Sequence, residues 1–352
     1  MNPSRRIVFR ADASSQLGLG HLMRCMALAD YLKELKFDIL FLTKKTDIDS
    51  QHLILTRGFK VEVLSSKITS WHSDLEASEL SLKKYPQSEL MVLDHYLLDA
   101  HWEQGVKKYA KKLLVLDDKP LRKHDCDYLL DQNYDVDFKN DYESFVNPEC
   151  KFLLGPKYFI LNKEFYKHCA SKSFNFDREI HVLVSYGGRD VTDSTIKATK
   201  ALIELNNLYN LKIDIVLSRQ APTFDELDMI SKDLNNFICH DFTNSMPELM
   251  QKADIAFGAA GVSSWERCFL GLPSVVTVLA DNQQVVAHML KKYEAAFVFD
   301  DYESVKVNDL VNCFENLIKN SRQIKTMSAN AQKIVDGKGP ERIICELNIS
   351  GG

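Results

Sequence analysis

The sequence predicts an α/β protein made of two doubly wound parallel sheets. Short apolar runs alternate along the chain with segments in which apolar residues recur at helical spacing. This alternation breaks between residues 132 and 178 and then resumes. The 352 residues, 45% of them hydrophobic, are enough for two cores of ordinary size. We therefore predict two Rossmann-like domains facing a cleft, at residues 1–170 and 180–335, with a C-terminal tail at 336–352.

In the first half, runs of β-branched, aliphatic and aromatic residues predict strands, and the segments between them predict helices. Strands are expected at residues 7–10, 39–43, 60–64, 90–94, 113–117 and 128–131, and helices at 21–36, 49–57, 72–84 and 99–111. Segment 132–178 is rich in Asn, Asp, Tyr and Phe, and we interpret it as irregular. Its end, at about 168–179, is the expected linker between the domains.

The second half repeats the pattern. Strands are expected at residues 180–185, 211–217, 237–240, 255–258, 274–278 and 297–299, and helices from about 190 to 206 and at 223–233, 245–251, 263–270, 282–292, 307–319 and 321–335. Residues 341–349 in the tail predict one more short element. The whole order is the βα rhythm of parallel sheets with helices on their faces.

Composition excludes several classes of function. A net charge of −5 argues against broad nucleic-acid binding. The chain contains no apolar run of about 20 residues, which a membrane span requires. Its first residues lack the apolar segment of a signal peptide. The eight cysteines show no CxxC spacing, so neither a zinc site nor a redox motif is expected. We expect a cytoplasmic protein without a metal.

The loop after the first strand is the first candidate site. Residues 10–24 pass from a strand through small, polar and glycine residues into a helix, and His21 lies where the helix begins. This place is the carboxyl edge of the first strand, where open α/β sheets bind ligands. Histidine titrates near neutral pH and can serve as a general base. The alternative is a histidine that only caps the loop.

A second candidate site lies in residues 257–284, which run from a strand through a glycine-containing loop and a helix to a Gly-Leu-Pro turn. The glycines would let the backbone approach a ligand. Ser263 or Ser264 could cap the helix and turn its N–H groups towards a diphosphate. Glu266, in the first turn, could bind two ribose hydroxyls or could simply complement the helix dipole.

Residues 257–284 resemble the nucleotide-sugar site of the GT-B superfamily, particularly of the branch with the UDP-N-acetylglucosamine-using enzyme of peptidoglycan synthesis. The opening run, Gly18-Leu-Gly-His-Leu-Met-Arg24, is similar to that of the pseudaminic-acid pathway hydrolases, which act on UDP-2,4-diacetamido-2,4,6-trideoxy-β-L-altropyranose. Val92-Leu-Asp-His-Tyr96 and Val184-Ser-Tyr-Gly-Gly-Arg-Asp190 also look like that family's. The resemblance covers roughly residues 5–335.

The resemblance implies a GT-B fold and hydrolysis of that nucleotide sugar to the free sugar and UDP. Water would attack the anomeric carbon with inversion, and His21 would be the catalytic base. UDP is a good leaving group, so one base can suffice without a cofactor or a general acid. The expected partner is the UDP-linked diacetamido trideoxy sugar, with no nucleic acid and no membrane.

The resemblance and the placement of polar residues at strand ends together give a set of expected substrate-binding residues: Asp12, Gly20, Arg24, Asp94 and Tyr96 in the first domain, and Gly188, Ser263, Ser264, Glu266, Asn282 and Gln283 in the second. Two of the first-domain assignments have alternatives. Asp12 could orient His21, bind a sugar hydroxyl or cap the loop, and Arg24 could face phosphate or pair with acids.

Two further features of the first domain favour structural roles. His95 on its own is more typical of a satisfied histidine than of a base. Asp117 and Asp118 end a strand without a histidine or a third acid at ligand spacing, which favours a turn or cap over a metal site.

Three other functions fit the same sequence. A GT-B glycosyltransferase would use a UDP-amino sugar donor in the same cleft, but it needs a surface for its acceptor. A non-catalytic UDP-sugar binding module would release no UDP. A hydrolysing UDP-sugar 2-epimerase would release UDP but would exchange the proton at C2 with solvent.

Overall fold

A computed structural model describes residues 5–14, 17–137, 142–169, 172–190, 192–241 and 245–349. The chain divides into two compact units. The first contains residues 1–163 and 337–352, and the second contains residues 164–336. The change of unit therefore comes before the segment expected to be the linker, and the C-terminal tail belongs to the first unit. Among the described residues, no helix is both long enough and apolar enough to cross a bilayer.

The first unit is built on a seven-stranded parallel sheet in the order β3-β2-β1-β4-β5-β6-β7. Its strands are β1 (Arg6–Ala11), β2 (Asp38–Lys44), β3 (Lys60–Leu64), β4 (Leu90–Asp94), β5 (Leu113–Leu116), β6 (Tyr128–Asp131) and β7 (Lys151–Leu154). Its first helices are α1 (Gly20–Glu34), α2 (Ser50–Thr56), α3 (Trp71–Leu82) and α4 (Ala100–Val106), followed by a 3₁₀ turn at Lys107–Tyr109.

Strand β7 corrects the sequence prediction, which left residues 132–178 without any element. The strand has only four residues, and its first two side chains are exposed and half-buried, so the hydrophobic pattern is weak. Its conformation comes from pairing with β6, in which Tyr128 lies beside Lys151 and Asp131 beside Leu154. Tertiary pairing decides such short edge strands, and local sequence does not reveal it.

Both faces of the first sheet are covered. In β1, Ile7 and Phe9 pack with Leu22 and Leu28 of α1 on one side. Val8 points to the other side, into a cluster that contains Trp102 of α4. This arrangement explains why the strand is apolar at consecutive positions rather than at alternate ones.

The second unit is built on a six-stranded parallel sheet in the order β10-β9-β8-β11-β12-β13. Its strands are β8 (Ile180–Ser185), β9 (Leu211–Val216), β10 (Phe237–His240), β11 (Ile255–Ala259), β12 (Ser274–Thr277) and β13 (Phe297–Phe299). Its helices are α5 (Ser194–Asn206), α6 (Phe224–Asp233), α7 (Met246–Lys252), α8 (Ser263–Phe269), α9 (Gln284–Lys292), α10 (Val307–Lys319) and α11 (Ser321–Ile334).

The last helix, α12 (Gly339–Leu347), returns to the first unit. A side chain at Gly339 would place its Cβ atom 2.1 Å from the carbonyl oxygen of Phe159, so only glycine fits where the helix begins. Ile343 and Leu347 then join the hydrophobic cluster that covers α1. The tail is thus part of the support for the helix that carries His21.

The strand order places one crevice at the carboxyl edge of each sheet. In the first sheet the order reverses between β1 and β4, and in the second it reverses between β8 and β11. Loops that leave two such strands diverge to opposite faces and leave room for a ligand. The helix after β1 carries His21, the loop after β4 carries Tyr96, and the helix after β11 carries Glu266.

Candidate active site

His21 lies in the first turn of α1 and is paired with Asp94 at the carboxyl end of β4. Its Nδ1 atom is 2.5 Å from Oδ1 of Asp94. Both residues are buried: the histidine keeps 8% of its surface accessible and Asp94 keeps 1%. The sequence analysis expected Asp94 to bind substrate, but its carboxylate is used within the protein.

The hydrogen bonds around Asp94 fix the tautomer of His21. Burial alone would raise the pKa of Asp94, but the charge and hydrogen bonds of Arg24 outweigh it and hold that pKa well below its usual range. Nε and Nη2 of Arg24 donate to the two carboxylate oxygens at 2.5 and 2.7 Å. An ionised Asp94 accepts the Nδ1–H of His21, and this leaves Nε2 of the neutral imidazole with a free lone pair.

Arg24 connects Asp94 to a second carboxylate, that of Asp118. Its Nη1 and Nη2 atoms donate to Oδ1 and Oδ2 of Asp118 at 2.8 and 3.1 Å. Of the two roles that the sequence left open for Arg24, the structure shows pairing with acids. Asp118 had been interpreted as a turn or cap residue, which is wrong. A signal was present: Asp118 follows β5 as Asp94 ends β4, and these strands are neighbours.

Tyr96 packs edge-on against His21, with ring centroids 4.4 Å apart and planes at 90°. Its hydroxyl donates to Oδ2 of Asp118 at 3.2 Å. Burial and the charge of Asp118 raise the pKa of Tyr96, so the phenol stays protonated. The residue remains 44% exposed. Its ring fixes one side of the imidazole, and its contact with the substrate stays a prediction.

Asp12 does not contact His21. It is buried and accepts hydrogen bonds from both terminal nitrogens of Arg10, from the backbone N–H of Lys44 at 2.7 Å and from Nε2 of His95 at 3.1 Å. The place beside the imidazole that was considered for Asp12 is taken by Asp94. Asp12 binds the protein's own cation instead, because Arg10 is buried beside it and has to be neutralised.

His95 is a structural residue, as expected. Nε2 bonds to Asp12, and Nδ1 accepts the backbone N–H of Leu97 at 3.1 Å. Burial lowers the pKa of His95, which favours the neutral ring that this pattern requires. With both nitrogens occupied, His95 fixes the turn that presents Tyr96.

A buried ionic network lies behind this turn. Arg122 donates to the carbonyl oxygen of His95 at 2.8 Å and to Oδ1 of Asp117. His124 lies between Asp117 and Glu103, with Nδ1 2.6 Å from a Glu103 oxygen and Nε2 3.4 Å from an Asp117 oxygen. Burial would lower the pKa of His124, but the two carboxylates raise it to about 9. The ring is therefore a buried imidazolium at neutral pH.

The arginines around His21 offer little to a phosphate group. Arg10, Arg24 and Arg122 are each bound to carboxylates within the described part of the chain. Gly20 is the exposed first residue of α1 and stays a predicted contact residue. A metal ion at Asp94 and Asp118 would have to displace the guanidinium of Arg24. The chemistry that this arrangement offers is an imidazole base in a surrounding rich in carboxylates.

Glu266 in the second unit has the properties of a ligand-binding carboxylate. It lies in the first turn of α8 and is half-buried. No hydrogen bond links its carboxylate to any described residue, and burial raises its pKa to about 7 against the opposing charge of Arg267. An unpaired, partly buried carboxylate is stabilised when hydroxyl groups of a ligand donate hydrogen bonds to it.

Neither Ser263 nor Ser264 caps α8, contrary to one sequence expectation. Nη2 of Arg267 donates to Oγ of Ser264 at 2.9 Å and to the carbonyl oxygen of Ala259 at 2.8 Å, and Nη1 lies 3.3 Å from Oγ of Ser263. A Cβ atom at position 258 would lie 2.8 Å from this guanidinium, so glycine makes room for it. Arg267 thus shapes the loop between β11 and α8 from inside the protein. Ser263 remains half-exposed, while Ser264 is buried.

The helix after the Gly187–Gly188 turn is already capped. Both oxygens of the buried Asp190 accept backbone N–H groups of α5, from Ser194 at 3.3 Å and from Thr195 at 2.5 Å. A protein carboxylate therefore occupies the place that an anion would take. Gly188 itself has open space beside its Cα atom and stays a predicted contact residue.

Asn282 and Gln283 lie in a 3₁₀ turn that precedes α9, which begins two residues later than expected. Oε1 of Gln283 accepts the backbone N–H of Leu279 at 3.0 Å, so this side chain holds the loop that follows β12. Asn282 is exposed. Their contact with the sugar stays a prediction.

Comparison with known proteins places this geometry in context. Residues 177–339, most of the second unit, match the glycosyltransferase family 28 C-terminal domain. The crystal structure of MurG from Acinetobacter baumannii superposes with a TM-score of 0.66 at 12% identity, covering 97% of this chain and 99% of that chain. The fold is GT-B. Both units of this GT-B chain have the parallel sheets that the sequence predicted.

This GT-B chain has a relative that confirms, at the level of the family, the resemblance to the pseudaminic-acid pathway hydrolases. It is 25% identical over 300 residues to the UDP-2,4-diacetamido-2,4,6-trideoxy-β-L-altropyranose hydrolase of Campylobacter jejuni, covering 84% of this chain and 100% of that protein. It is 26% identical over 280 residues to an uncharacterised protein of Methanocaldococcus jannaschii, of which it spans only about half, 55%.

Proposed function

We propose that this GT-B protein is an enzyme acting on a UDP-linked sugar, and that it hydrolyses UDP-2,4-diacetamido-2,4,6-trideoxy-β-L-altropyranose to UDP and the free sugar. The observation that carries the proposal is the 2.5 Å hydrogen bond between His21 and Asp94. A dyad of this kind turns an imidazole into an oriented base, as hydrolysis by water requires. The relative with this activity aligns over its whole length, which supports the choice of substrate.

In the proposed reaction, Nε2 of His21 takes a proton from a water molecule while the water oxygen bonds to the anomeric carbon. The bond between that carbon and the β-phosphate oxygen breaks, and UDP leaves with the electron pair. Attack from the side opposite to UDP inverts the configuration. Asp94 stabilises the imidazolium that forms, because its ionised carboxylate already accepts the Nδ1–H.

The charge around His21 supports the same chemistry. Glycosyl transfer passes through a transition state with positive charge on the anomeric carbon and ring oxygen. Asp94 and Asp118 share the single cation of Arg24, so this group carries a net negative charge while His21 is neutral. Negative charge fixed at this point favours the transition state over the neutral sugar.

The second unit would supply UDP binding. Glu266 would accept hydrogen bonds from the two ribose hydroxyls, and the loop shaped by Arg267 would approach the diphosphate through its backbone. The family 28 match over residues 177–339 supports this division of roles.

The decisive experiment is an NMR assay of the purified protein with the altropyranose substrate in deuterated water, without an acceptor. We expect ³¹P signals of free UDP, a first-formed sugar anomer opposite to that of the substrate, and protium retained at C2. His21→Ala should abolish UDP release while the protein stays folded. Deuterium at C2 would instead identify a 2-epimerase, and absence of UDP release would contradict hydrolysis.

A GT-B glycosyltransferase with a UDP-amino sugar donor is the second candidate. The specific observation in its favour is the match to a glycosyltransferase family 28 domain. The same base could deprotonate an acceptor hydroxyl instead of water. The two functions separate when UDP release is followed with and without added sugar acceptors: a hydrolase is indifferent to them, whereas a transferase depends on one.

A further inference from the structure

We infer that Asp118 is a positioning residue for His21: it shares the charge of Arg24 with Asp94 and so keeps Asp94 able to stabilise a protonated imidazole. This role rests on the proposed function of His21 as a base. It assigns to Asp118 an effect on the reaction that acts entirely through Arg24, Asp94 and Tyr96.

Asp118 accepts hydrogen bonds from three described residues of the first unit. It accepts two hydrogen bonds from Arg24, at 2.8 and 3.1 Å, one from the Tyr96 hydroxyl at 3.2 Å and one from Nδ2 of Asn133 at 3.3 Å. Its side chain is 17% exposed, so these interactions are only partly screened by water. With four donors directed at its two oxygens, Asp118 holds neighbouring groups rather than a ligand.

These contacts form a closed ring of interactions that includes the imidazole of His21. Tyr96 donates to Asp118, Asp118 binds Arg24, Arg24 binds Asp94, and Asp94 binds His21. The edge-on contact between the Tyr96 ring and His21 completes this ring of interactions. The guanidinium is thus held on both sides, and its position relative to Asp94 depends on Asp118.

The shared guanidinium of Arg24 sets the net charge beside His21. Arg24 stays protonated, since the two carboxylates raise its pKa far above the ordinary value despite burial. If it faced Asp94 alone, the pair would be neutral and would offer little attraction to an imidazolium. With Asp118 present, the three groups carry a net negative charge. This negative charge beside Nδ1 stabilises the imidazolium that forms when Nε2 takes a proton from water.

Among the described residues, three groups, each from a different element, face the imidazole of His21. Asp94 approaches from β4, Arg24 from α1 with Nη2 3.3 Å from Nδ1, and Tyr96 from the loop after β4. Tyr96 is uncharged at neutral pH, since its pKa is raised. A change of charge at Asp118 is therefore passed to His21 mainly through Arg24 and Asp94.

The test compares Asp118→Asn with wild type by the pH dependence of UDP release from the altropyranose substrate. Loss of the negative charge should move the acid limb of the kcat profile to lower pH by about half to one pH unit. It should also lower kcat about 10-fold, a part of the roughly 10²- to 10⁴-fold that a positioned base supplies. KM should change less than kcat, because Asp118 is not expected to touch the sugar.

Three further variants separate charge from structure. Asp118→Glu keeps the charge and should keep the acid limb of wild type. Tyr96→Phe removes one bond to Asp118 but no charge, and should leave the limb unmoved. Asp30→Asn is the matched control, because Asp30 lies on the same helix α1 and binds Arg57 at 2.8 Å in the same way. It should change neither kcat nor the limb.

Titration of the His21 imidazole by NMR, without substrate, provides a second readout. Its midpoint should move to lower pH in Asp118→Asn and not in Asp118→Glu. If wild type releases no UDP while this midpoint moves, the proposed hydrolysis fails, and what stands is the electrostatic coupling of Asp118 to His21. If Asp118→Asn loses activity with limb and midpoint unmoved, or if Asp118→Glu moves them equally, the role is only structural and the inference is wrong.

Discussion

Oδ1 of Asp94 lies 2.5 Å from Nδ1 of His21, although 73 residues separate them along the chain. The pair forms because β1 and β4 are neighbours in the sheet. The loop that leaves β1 and the last residue of β4 therefore meet at the same edge. Strand order, rather than closeness in sequence, decides which carboxylate orients the histidine.

Asp94→Asn should reduce UDP release from the altropyranose substrate strongly while the fold is retained. Asparagine can donate through its amide to Nδ1, which would favour the wrong tautomer and put the proton on Nε2. We expect kcat to fall about 10²- to 10⁴-fold, the range of a lost general base. Initial rates measured at saturating substrate check this expectation.

The matched control for that variant is a second histidine–aspartate pair in the same unit. His101 and Asp99 approach to 3.2 Å on the exposed face of α4. Asp99→Asn should leave kcat within about twofold of wild type, since exposed pairs contribute little. Equal activity of Asp94→Asn and wild type would remove Asp94 from the mechanism.

Sequence alone could propose His21 and Glu266 as candidate site residues, because each lies at the start of a helix that follows a strand and carries a distinctive side chain. It offered Asp12 as a residue that could orient His21 and Asp94 as a sugar contact, whereas the structure chooses Asp94 as the partner of the histidine. That choice depends on the buried Arg10, which binds Asp12 and removes it from competition. Hydrophobic periodicity predicts strands, but it does not say which charges end up side by side.

The helix starts of the second unit show the same limit. Ser263, Ser264 and Asp190 all have the side chains of good caps. Arg267 engages both serines from inside the protein, whereas Asp190 does cap its helix. The buried Arg267, one turn further along the same helix, decides the role of the two serines, and the preference of serine for cap positions does not reveal it.

Glu266→Gln should weaken UDP binding, measured by calorimetry, about 10-fold at pH 8. Hydrogen bonds to a charged acceptor contribute about 1.5–3 kcal/mol, and glutamine replaces them by weaker ones. The carboxyl of wild type has its pKa near 7, so it is protonated progressively below that pH. The advantage of wild type over the variant should therefore shrink between pH 8 and pH 6.

Wild type and Glu266→Gln are compared at the same pH, so the titration of UDP's own phosphate affects both affinities equally. Glu248→Gln is the control, because Glu248 is an exposed acid of the same unit that pairs with Lys252 at 2.6 Å. It should bind UDP as wild type does. An affinity of Glu266→Gln equal to wild type at pH 8 would rule out a ribose contact.

Asp190→Ala should destabilise the protein without weakening UDP binding. The variant removes two hydrogen bonds to the start of α5, and loss of a helix cap costs about 0.5–2 kcal/mol in the free energy of unfolding. The neighbouring Asp193→Ala is matched, since both residues have positive φ, 29° and 56°, but the Asp193 side chain makes no capping bond. Tighter UDP binding by Asp190→Ala would mean that this helix start does receive phosphate.

His124→Gln should lower the free energy of unfolding most strongly at neutral and acidic pH. The pKa of His124 is raised from 6.5 to about 9 in the folded protein. Its stabilising contribution is therefore fully present below pH 6.5 and is lost as the pH rises through about 9. A shift of this size corresponds to roughly 3 kcal/mol.

Urea unfolding at pH 6 and pH 9.5 measures this effect as the difference between wild type and variant. That difference should shrink by about 3 kcal/mol at the higher pH, because the neutral ring no longer offsets the buried carboxylates of Glu103 and Asp117. His52→Gln, at an exposed position of α2, should change the free energy of unfolding by no more than about 0.5 kcal/mol at either pH. A constant difference for His124→Gln would show that the imidazolium does not hold this network together.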